Sequence, residues 1–436
     1  MANLQQQATE VLQRLIRFNT VNPPGNEREA QEWLADRLRA AGFEVELVGA
    51  TPERPNLVAR LRGNADGPTL CLLSHVDTVL ATPEEWKRDP WSGDLHEGEI
   101  WGRGALDMKS QTAAEVVAGI SLAAEGWRPA RGDLLVVVVV DEETGGSQGA
   151  RWLCDTHPEL VRCDFLLNEG GGVVIPYDGG RVFGVCVAEK GVFRFKLRTH
   201  GVAGHASIPK IGDNALLKMA PLLAAMGSTQ PALDITDGPR AMLEGLGIPV
   251  DGDPVGALEA LRGKDPILAM LVEPMLGVTL APTRARASEK INVIPSMAEL
   301  GVDCRVPPGI GREDALKRIH EVLGDPSDGA YDVEFTEMVV GNASPVQSLL
   351  MDALTAWIAR EEPDARVVPT ILPGFTDSRT FRDVFPECVA YGFFPQRHMT
   401  LYETAPLIHS ANERIDVRDL EIATRCFRDV TKEILG

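Results

Sequence analysis

The sequence feature that most constrains the fold is an uninterrupted apolar run, Leu134 to Val140, that leads directly into Asp141, Glu142 and Glu143. A β-branched run without polar alternation is typical of a strand that is covered on both faces, as in a parallel sheet between helical layers. Carboxylates at the end of such a strand lose solvation unless something cationic compensates them. The run therefore predicts an α/β sheet with a charged site at the carboxyl end of this strand.

A second apolar run, Thr69 to Ser74, ends in a similar way, with His75 and then Asp77. In open α/β sheets, ligands bind in the crevice at the carboxyl ends of the strands. We therefore expect His75 and Asp77 to converge with Glu142 and Glu143 on one crevice. Imidazole and carboxylate groups that meet across a parallel sheet form the pattern of a metal site. A metal-dependent hydrolase is the leading interpretation.

The length of 436 residues exceeds the roughly 250–300 residues at which a single hydrophobic core stops growing, so two domains are expected. Strand and helix patterns alternate over residues 1–189, which predicts a mostly parallel catalytic sheet with helices on both faces. Residues 190–338 show the order β-α-β-β-α-β, typical of a smaller α+β domain of the split βαβ type. The segment 236–273 is predicted to be a helical decoration within it, and residues 339–436 return to the catalytic domain.

The composition limits the partners. Lys and Arg number 43 against 63 Asp and Glu, a formal net charge of -20 that argues against binding nucleic acid or an anionic membrane. Residues 1–7 are neither basic nor apolar as in a signal peptide, and the longest apolar run is far shorter than the roughly 20 residues that span a bilayer. Seven scattered cysteines fit a reducing compartment and are interpreted as packing residues. We therefore expect a soluble, cytoplasmic protein.

Two pairs of residues carry most of the chemical signal. His75 and Asp77 are two apart on extended chain, so both side chains leave the same face, and Asp77 can hold the ring of a ligating His75. Glu142 and Glu143 are neighbours on chain that is predicted to be extended, so their side chains point in different directions. One of them could then bind a metal while the other stays free as a general base. A capped strand end and solvated surface charge are the ordinary alternatives.

Three further residues have polar or glycine-rich surroundings. Asp107 lies in the glycine-rich turn 102–109 that opens a helix, where a plain helix N-terminal residue is the alternative. Glu169 follows the predicted strand 165–168 and precedes three glycines; a phosphate loop is the alternative, but no Gly-Lys-Ser/Thr element follows. His409 lies in a polar loop and could be an ordinary surface histidine. Five candidates together supply nitrogen and oxygen ligands for two divalent ions that share one carboxylate. They are His75, Asp107, Glu143, Glu169 and His409.

Several strings of the sequence resemble the co-catalytic zinc metallopeptidase family, which includes aminoacylases, carboxypeptidase G, acetylornithine deacetylase and succinyl-diaminopimelate desuccinylase. The strings are Ser74-His75-Val76-Asp77-Thr78-Val79, Gly102-Arg103-Gly104-Ala105-Leu106-Asp107-Met108-Lys109, Asp141-Glu142-Glu143-Thr144-Gly145, Asn168-Glu169-Gly170, Gly204-His205-Ala206-Ser207 and His409. The resemblance spans nearly the whole chain. It implies that the protein binds two divalent metal ions, which are expected to be zinc, with cobalt or manganese as the alternatives. It implies that His75 and Glu169 hold one ion, that Glu143 and His409 hold the other, and that Asp107 bridges them.

By the same resemblance Glu142 is the general base, and the second domain is a lid that mediates homodimerisation. His205 would reach the site of a partner subunit and stabilise the tetrahedral oxyanion; a plain loop histidine is the alternative. Four positions look like those that grip the substrate carboxylate, namely Asn292, Arg305, Gly374 and Thr376. Arg305 suits this task because guanidinium pairs with carboxylate in a bidentate fork, although a structural salt bridge would also explain it.

The resemblance implies hydrolysis of an amide bond in a small N-acyl amino acid or a short peptide with a free carboxylate, by a water that two metals activate. Glu169 stands where the deacetylase and desuccinylase branches often have Asp, which favours the aminoacylase and carboxypeptidase side. A dipeptidase, desuccinylase or deacetylase activity is the nearest alternative. The alternatives from other classes are a non-catalytic small-molecule binding protein and a nucleotide-binding enzyme that uses Gly170 to Gly172.

Overall fold

A computed structural model of the chain describes residues 3–326 and 329–436. The chain divides into two compact units. The first unit consists of the chain up to Val187 together with Ser344–Thr370 and Thr376–Gly436, and the second consists of Ala188–Ala343 with Ile371–Phe375. All five residues that are predicted to bind metal lie in the first unit.

The strands carry the labels β1 to β20 in chain order. They are β1 (Glu44–Val48), β2 (Asn56–Arg62), β3 (Leu70–His75), β4 (Asp94–His96), β5 (Glu99–Trp101), β6 (Asp133–Val139), β7 (Phe165–Asn168), β8 (Val173–Tyr177), β9 (Gly180–Glu189), β10 (Gly191–Val192), β11 (Phe195–His200), β12 (Gly204–His205), β13 (Thr279–Arg286), β14 (Val293–Ile294), β15 (Met297–Val306), β16 (Asp332–Phe335), β17 (Arg366–Leu372), β18 (Val389–Gly392), β19 (Gln396–Thr400) and β20 (Arg414–Asp416).

The α-helices carry the labels α1 to α14. They are α1 (Leu4–Arg17), α2 (Arg28–Ala40), α3 (Lys109–Ala124), α4 (Ala150–Thr156), α5 (Pro158–Val161), α6 (Ala215–Ser228), α7 (Asp237–Gly245), α8 (Pro254–Lys264), α9 (Pro266–Val272), α10 (Arg312–Leu323), α11 (Leu349–Glu361), α12 (Ser378–Val384), α13 (Leu401–Thr404) and α14 (Val417–Leu435). Short 3-10 turns lie at Pro83–Glu85, Glu142–Thr144, Glu273–Met275 and Ala405–Leu407. Among the described residues, no helix combines the length and the apolarity needed to cross a membrane.

The central sheet of the first unit has the strand order β1-β2-β6-β3-β7-β18-β9-β8-β19, with β17 also paired to β9. Its middle strands β6, β3, β7 and β18 run parallel to one another, whereas β1 and β2 are antiparallel to their neighbours. Every residue of β3 and all but the first residue of β6 are buried. The prediction of a mostly parallel sheet at the centre of an α/β unit is confirmed.

Helices cover both faces of these strands. On one face α1, α3 and α14 pack against one another, and α3 contacts β3 and β6. On the other face, Cys71 and Leu73 of β3 and Val137 and Val139 of β6 share a core with α4, α5 and α12. Alternate residues of each apolar run therefore enter two different cores, which explains why the runs have no polar position. All seven cysteines are buried and free, as expected for packing residues.

The second unit is built on an antiparallel sheet with the order β13-β15-β11-β16, to which β10 adds beside β15. In chain order its main elements are β11, α6, β13, β15, α10 and β16. This order confirms the prediction of a split βαβ domain. Residues of β15 alternate strictly between buried and partly exposed positions, because one face packs on α6 and α10. The predicted helical decoration is also confirmed, since α7, α8 and α9 lie between α6 and β13.

An ionisable residue lies in the core of the first unit, on α3. Glu115 is fully buried, and its Oε1 accepts a hydrogen bond of 2.8 Å from the Nε2 of Gln111. Burial raises the pKa of Glu115 from 4.5 to about 8, although Gln111 opposes the shift. The folded protein therefore holds this carboxyl group in its protonated form at neutral pH.

We expect Glu115→Gln to stabilise the protein at pH 8 but not at pH 4.5. Because the folded pKa is raised, the stability linked to Glu115 is fully present below the unfolded pKa of 4.5 and is lost as the pH rises through about 8. The uncharged variant escapes this loss, so its free energy of unfolding at pH 8 should exceed that of the wild type by roughly 4 kcal/mol. Urea unfolding at both pH values measures the difference. An equal effect at both pH values, or an equal gain from replacing the exposed Glu10 with glutamine, would contradict this account.

Candidate metal centre

His75 is the last residue of β3 and is almost fully buried, beside Val139 of β6. Its Nδ1 lies 3.1 Å from the backbone oxygen and 3.5 Å from Oδ1 of Asp77. Its Nε2 points the other way, at 3.3 Å from Oδ1 of Asp107 and 3.7 Å from Oε1 of Glu169. Asp77 therefore orients the ring so that Nε2 faces the other two carboxylates.

Asp77 also fixes the turn that carries the two glutamates. Its Oδ1 accepts the backbone N–H of Glu142 and its Oδ2 that of Glu143, each at 3.2 Å. A third donor, Nδ2 of Asn22, lies 2.9 Å from Oδ2 of Asp77 and 3.2 Å from Oδ1 of Asp141. Asn22 could not be predicted as part of the site, because an asparagine before two prolines indicates only a break between helices.

The interpretation of Glu142 and Glu143 as neighbours on extended chain is wrong. Asp141 adopts a left-handed conformation with φ 72° and ψ 9°, and the chain then forms a 3-10 turn over Glu142–Thr144. The two side chains still diverge. Oε2 of Glu142 lies 4.0 Å from Nε2 of His75, whereas Oε2 of Glu143 lies 3.1 Å from Nε2 of His409. The turn, and not the alternation of a strand, separates them.

Asp107 stands between the two histidines. Its Oδ1 faces His75, and its Oδ2 lies 3.0 Å from Nε2 of His409. Two groups of side chains therefore meet at this residue, each with one ligand atom per residue and all of those atoms within 4.8 Å of one another. The first group is His75, Asp107 and Glu169, and the second is Asp107, Glu143 and His409.

Burial and crowding separate the pKa values of the carboxyl groups. Burial raises the pKa of Glu142 well above its usual range, and the charge of Glu169 adds to the rise. Burial likewise raises the pKa of Glu169, with the charge of Asp107 as the next cause. For Asp107, burial acts in the same direction, but the imidazoles of His409 and His75 outweigh it and hold the pKa well below the usual range. Asp107 therefore ionises more readily than Glu142 and Glu169.

The two histidines respond to the carboxylates around them. Hydrogen bonds to Asp107 and Glu143 raise the pKa of His409 to about 10. Burial opposes the protonation of His75, but the neighbouring carboxylates of Asp107 and Asp77 outweigh it and raise its pKa. The carboxylates around the site thus favour the positively charged form of both imidazole rings. Metal ions and protons compete for ligand atoms of this kind.

The donor set fits two divalent cations. Nε2 of His75 is buried and makes no hydrogen bond of acceptable geometry. A buried imidazole nitrogen without a partner is costly, and a cation between it and the carboxylates of Asp107 and Glu169 would satisfy all three groups. Imidazole nitrogen and carboxylate oxygen are the ligands that zinc takes in catalytic sites. Each of the two groups can therefore hold one ion, with Asp107 common to both.

Two other residues with predicted catalytic or substrate-binding roles, His205 and Asn292, lie close together in the second unit. His205 lies on β12, which pairs with β14, and the backbone N–H of Ala206 donates to the carbonyl oxygen of Asn292 at 3.0 Å. The exposed ring of His205 accepts the backbone N–H of Ser207 at its Nδ1, at 3.2 Å. Since Nδ1 is the acceptor, a neutral ring carries its proton on Nε2. His205 therefore presents an N–H donor from Nε2.

The remaining predicted residues are Arg305, Gly374 and Thr376. Nε of Arg305 donates to Oδ1 of Asp303 at 2.7 Å, so this guanidinium already has a carboxylate partner within the second unit. Gly374 follows β17, and a Cβ added to it would meet only Leu372. Thr376 is buried, and its Oγ1 accepts Nδ2 of Asn168, the residue before Glu169, at 3.2 Å.

Asp377 is a further residue near the site that could not be predicted. It is buried in the first unit, beside Thr376. Its charge is among the causes that raise the pKa values of Glu142 and Glu169. An acid between Thr376 and Ser378 has no distinguishing pattern in the sequence, so only the packed structure reveals that Asp377 lies near the site.

Paired groups of nitrogen and oxygen ligands at the carboxyl edge of a parallel sheet, with a further glutamate beside them, define the class of metal-dependent hydrolases. The sequence model of peptidase family M20/M25/M40 matches residues 71–433 of the chain. The chain therefore belongs to this family, and it is a metal-dependent amide hydrolase. The resemblance noted in the sequence is confirmed.

Three known proteins illustrate the similarity. A succinyl-diaminopimelate desuccinylase of Xanthobacter autotrophicus is 27% identical over 425 residues, which cover 95% of each chain. An M20 family metallo-carboxypeptidase of Sulfolobus solfataricus has the same fold, with a TM-score of 0.71, 17% identity and coverage of 98% of this chain and 99% of that one. A dinuclear metal binding peptidase of the M20 family from Bacillus subtilis gives a TM-score of 0.62 at 14% identity, over 99% and 98% of the two chains.

Proposed function

We propose that this chain hydrolyses the amide bond of an N-acyl amino acid, or of a short peptide with a free carboxylate, with the help of two zinc ions. The observation that carries the proposal is the position of Asp107, whose two carboxylate oxygens face His75 and His409 separately. A carboxylate shared in this way is the arrangement expected of a site for two ions that act together. Cobalt or manganese are the alternatives to zinc.

In this proposal His75 and Glu169 would hold one ion, Glu143 and His409 would hold the other, and Asp107 would be a ligand common to both. When bound, the ions would lower the pKa of a water molecule to about 7 and polarise the substrate carbonyl group. Asp77 serves catalysis through His75, because it fixes which ring nitrogen faces the site.

We assign the general base to Glu142. Its carboxylate belongs to neither ligand group, yet its Oε2 lies 4.0 Å from Nε2 of His75. In this role Glu142 accepts a proton from the attacking water and returns a proton to the amine nitrogen as the C–N bond breaks. Its raised pKa suits this exchange, because a carboxylate that binds a proton more tightly is a stronger base toward the attacking water.

We further propose that residues 190–338, within the second unit, are a lid that forms a homodimer and supplies His205 to the site of the partner copy. The support is the exposure of His205 and the donor that it presents from Nε2. An oxyanion needs such a preformed N–H donor. In addition, β13 is an edge strand of the sheet, and Leu216 and Leu217 on α6 are exposed apolar residues that a second copy would cover.

We propose that Asn292, Arg305, Gly374 and Thr376 bind the carboxylate of the substrate. Arg305 would then release Asp303 and pair with the substrate instead. We expect no nucleic-acid or membrane partner, because the net charge of -20 repels polyanions and anionic lipid. Seven free cysteines fit a cytoplasmic location. The second candidate activity is desuccinylation, which the similarity to a desuccinylase over 95% of each chain favours.

A substrate panel tests the proposed function. With zinc-loaded protein we expect N-acetyl amino acids to be hydrolysed with the highest kcat/KM, ahead of N-succinyl amino acids and dipeptides. Methyl esters of the same compounds serve as matched controls, and loss of the charged carboxylate should lower kcat/KM roughly tenfold or more. Hydrolysis of no member of the panel above a chelator-treated blank would contradict the proposal. A preference for the N-succinyl compounds would select the second candidate.

A further inference from the structure

A buried glutamate that is not a candidate ligand joins two parts of the metal centre. Glu413 follows His409 by four positions in the same loop, and its side chain is fully buried. Each of its two carboxylate oxygens accepts two hydrogen bonds. Oε1 accepts the backbone N–H groups of Leu106 at 2.6 Å and Asp107 at 3.0 Å. Oε2 accepts the guanidinium of Arg103 at 2.7 Å and the backbone N–H of Gly104 at 3.0 Å.

These bonds fix the turn that carries Asp107. The turn has no strand partner between Gly102 and α3, so the carboxylate of Glu413 takes the place of a sheet as the acceptor for the N–H groups of Gly104, Leu106 and Asp107. The backbone adds two ties, because Gly102 donates to the carbonyl oxygen of Glu413 at 3.0 Å and Arg414 of β20 pairs with Trp101 of β5. The loop of His409 and the turn of Asp107 are therefore held together next to the site.

The arrangement is demanding. A fully buried carboxylate loses its hydration, and Arg103 and three backbone donors compensate it. A glutamate at a strand-loop junction could instead have pointed into solvent without this desolvation. Because Glu413 is buried beside Asp107, which faces both histidines, we infer that it acts on the position of Asp107.

We propose that Glu413 is a positioning residue that sets the separation of Asp107 and His409 before any ion binds. The inference rests on the proposed metal centre, since it concerns the residue common to both ligand groups. Ligands held in place without the ion lose less freedom when the ion arrives, so the preformed turn raises metal affinity.

The test is zinc affinity of the full-length Glu413→Gln variant, measured by competition with a chromophoric chelator. Glutamine keeps the shape, but its NH2 group must face two of the four donors in either orientation. We expect zinc affinity to fall roughly 10- to 100-fold, the usual cost of losing an outer partner of a metal ligand. The loss should be largest for the ion held by Glu143 and His409, because that group contains both elements that Glu413 joins.

The chain offers a matched control in Asp419 of α14. This fully buried carboxylate accepts the backbone N–H groups of Arg397 at 2.7 Å, His398 at 2.9 Å and Met399 at 2.9 Å. It organises a loop by the same means, but none of its partners belongs to a ligand group. Asp419→Asn should therefore bind zinc as tightly as the wild type. Equal affinity in the Glu413 variant and the wild type, or equal losses in both variants, would overturn the inference.

A second measurement decides the question if the Glu413 variant does not fold. In metal-free wild-type protein, the amide hydrogens of Leu106 and Asp107 should exchange slowly, and added zinc should change their rates little. Fast exchange that slows only with zinc would show that the ion, and not Glu413, orders the turn, and the inference would fail. Wild-type protein that binds fewer than two zinc ions would instead overturn the proposed function, together with the inference that rests on it.

Discussion

Replacing Glu142 with glutamine is expected to lower kcat by roughly 10²- to 10⁴-fold, the range that a positioned general acid or base contributes. The variant should keep its zinc, because Glu142 belongs to neither ligand group. It should also keep its turn, because the backbone N–H of Glu142, and not its side chain, binds Asp77. Steady-state kinetics and elemental analysis of the same preparation measure both quantities.

Glu159 provides the control for this experiment. It is an exposed glutamate on α5, and its replacement by glutamine should change neither kcat nor zinc content. Wild-type activity in the Glu142 variant would show that another group is the base. A loss of zinc that parallels the loss of activity would show that Glu142 is a ligand, and the assignment of roles would then be wrong.

Replacing Asp107 with alanine is expected to weaken both metal sites at once. Each ligand group contains Asp107, whereas Glu169 belongs only to the first group and Glu143 only to the second. The Asp107 variant should therefore retain less than one zinc per chain after dialysis, while Glu169→Ala and Glu143→Ala should each retain about one. The fall in affinity should exceed the roughly 10- to 100-fold cost of losing an outer partner, because a direct ligand is removed.

The two single-group variants are the internal controls of this series. All three replacements delete a carboxylate from the same cluster, so a general loss of stability would affect them alike. An Asp107 variant that keeps one ion as firmly as the other two variants do would show that the carboxylate is not shared. The account of a bridged pair of ions would then have to be given up.

The strands that position the site could be predicted, and so could their polar ends. β3 and β6 are buried on both faces, so nearly every residue is apolar and the point at which the chain turns polar is visible in the sequence. Parallel pairing then places His75 beside Val139 and brings the residues after both strands to one edge. The general location of the site follows from these two facts.

The conformations of the loops could not be predicted, because they depend on contacts between distant parts of the chain. The turn at Glu142 depends on the left-handed backbone of Asp141, for which the sequence contains no glycine signal. Glu413 is one acid in a polar loop until the turn of Asp107 packs around it. The bounds of β13 (Thr279–Arg286) could not be predicted either, because an exposed edge strand needs no apolar alternation.

The most direct test of the central claim is anomalous diffraction at the zinc absorption edge from crystals of the zinc-loaded protein. We expect two peaks on either side of Asp107. One should lie about 2.0–2.2 Å from Nε2 of His75 and an oxygen of Glu169, and the other at the same distances from Nε2 of His409 and an oxygen of Glu143. A single peak, or peaks away from Asp107, would contradict the account.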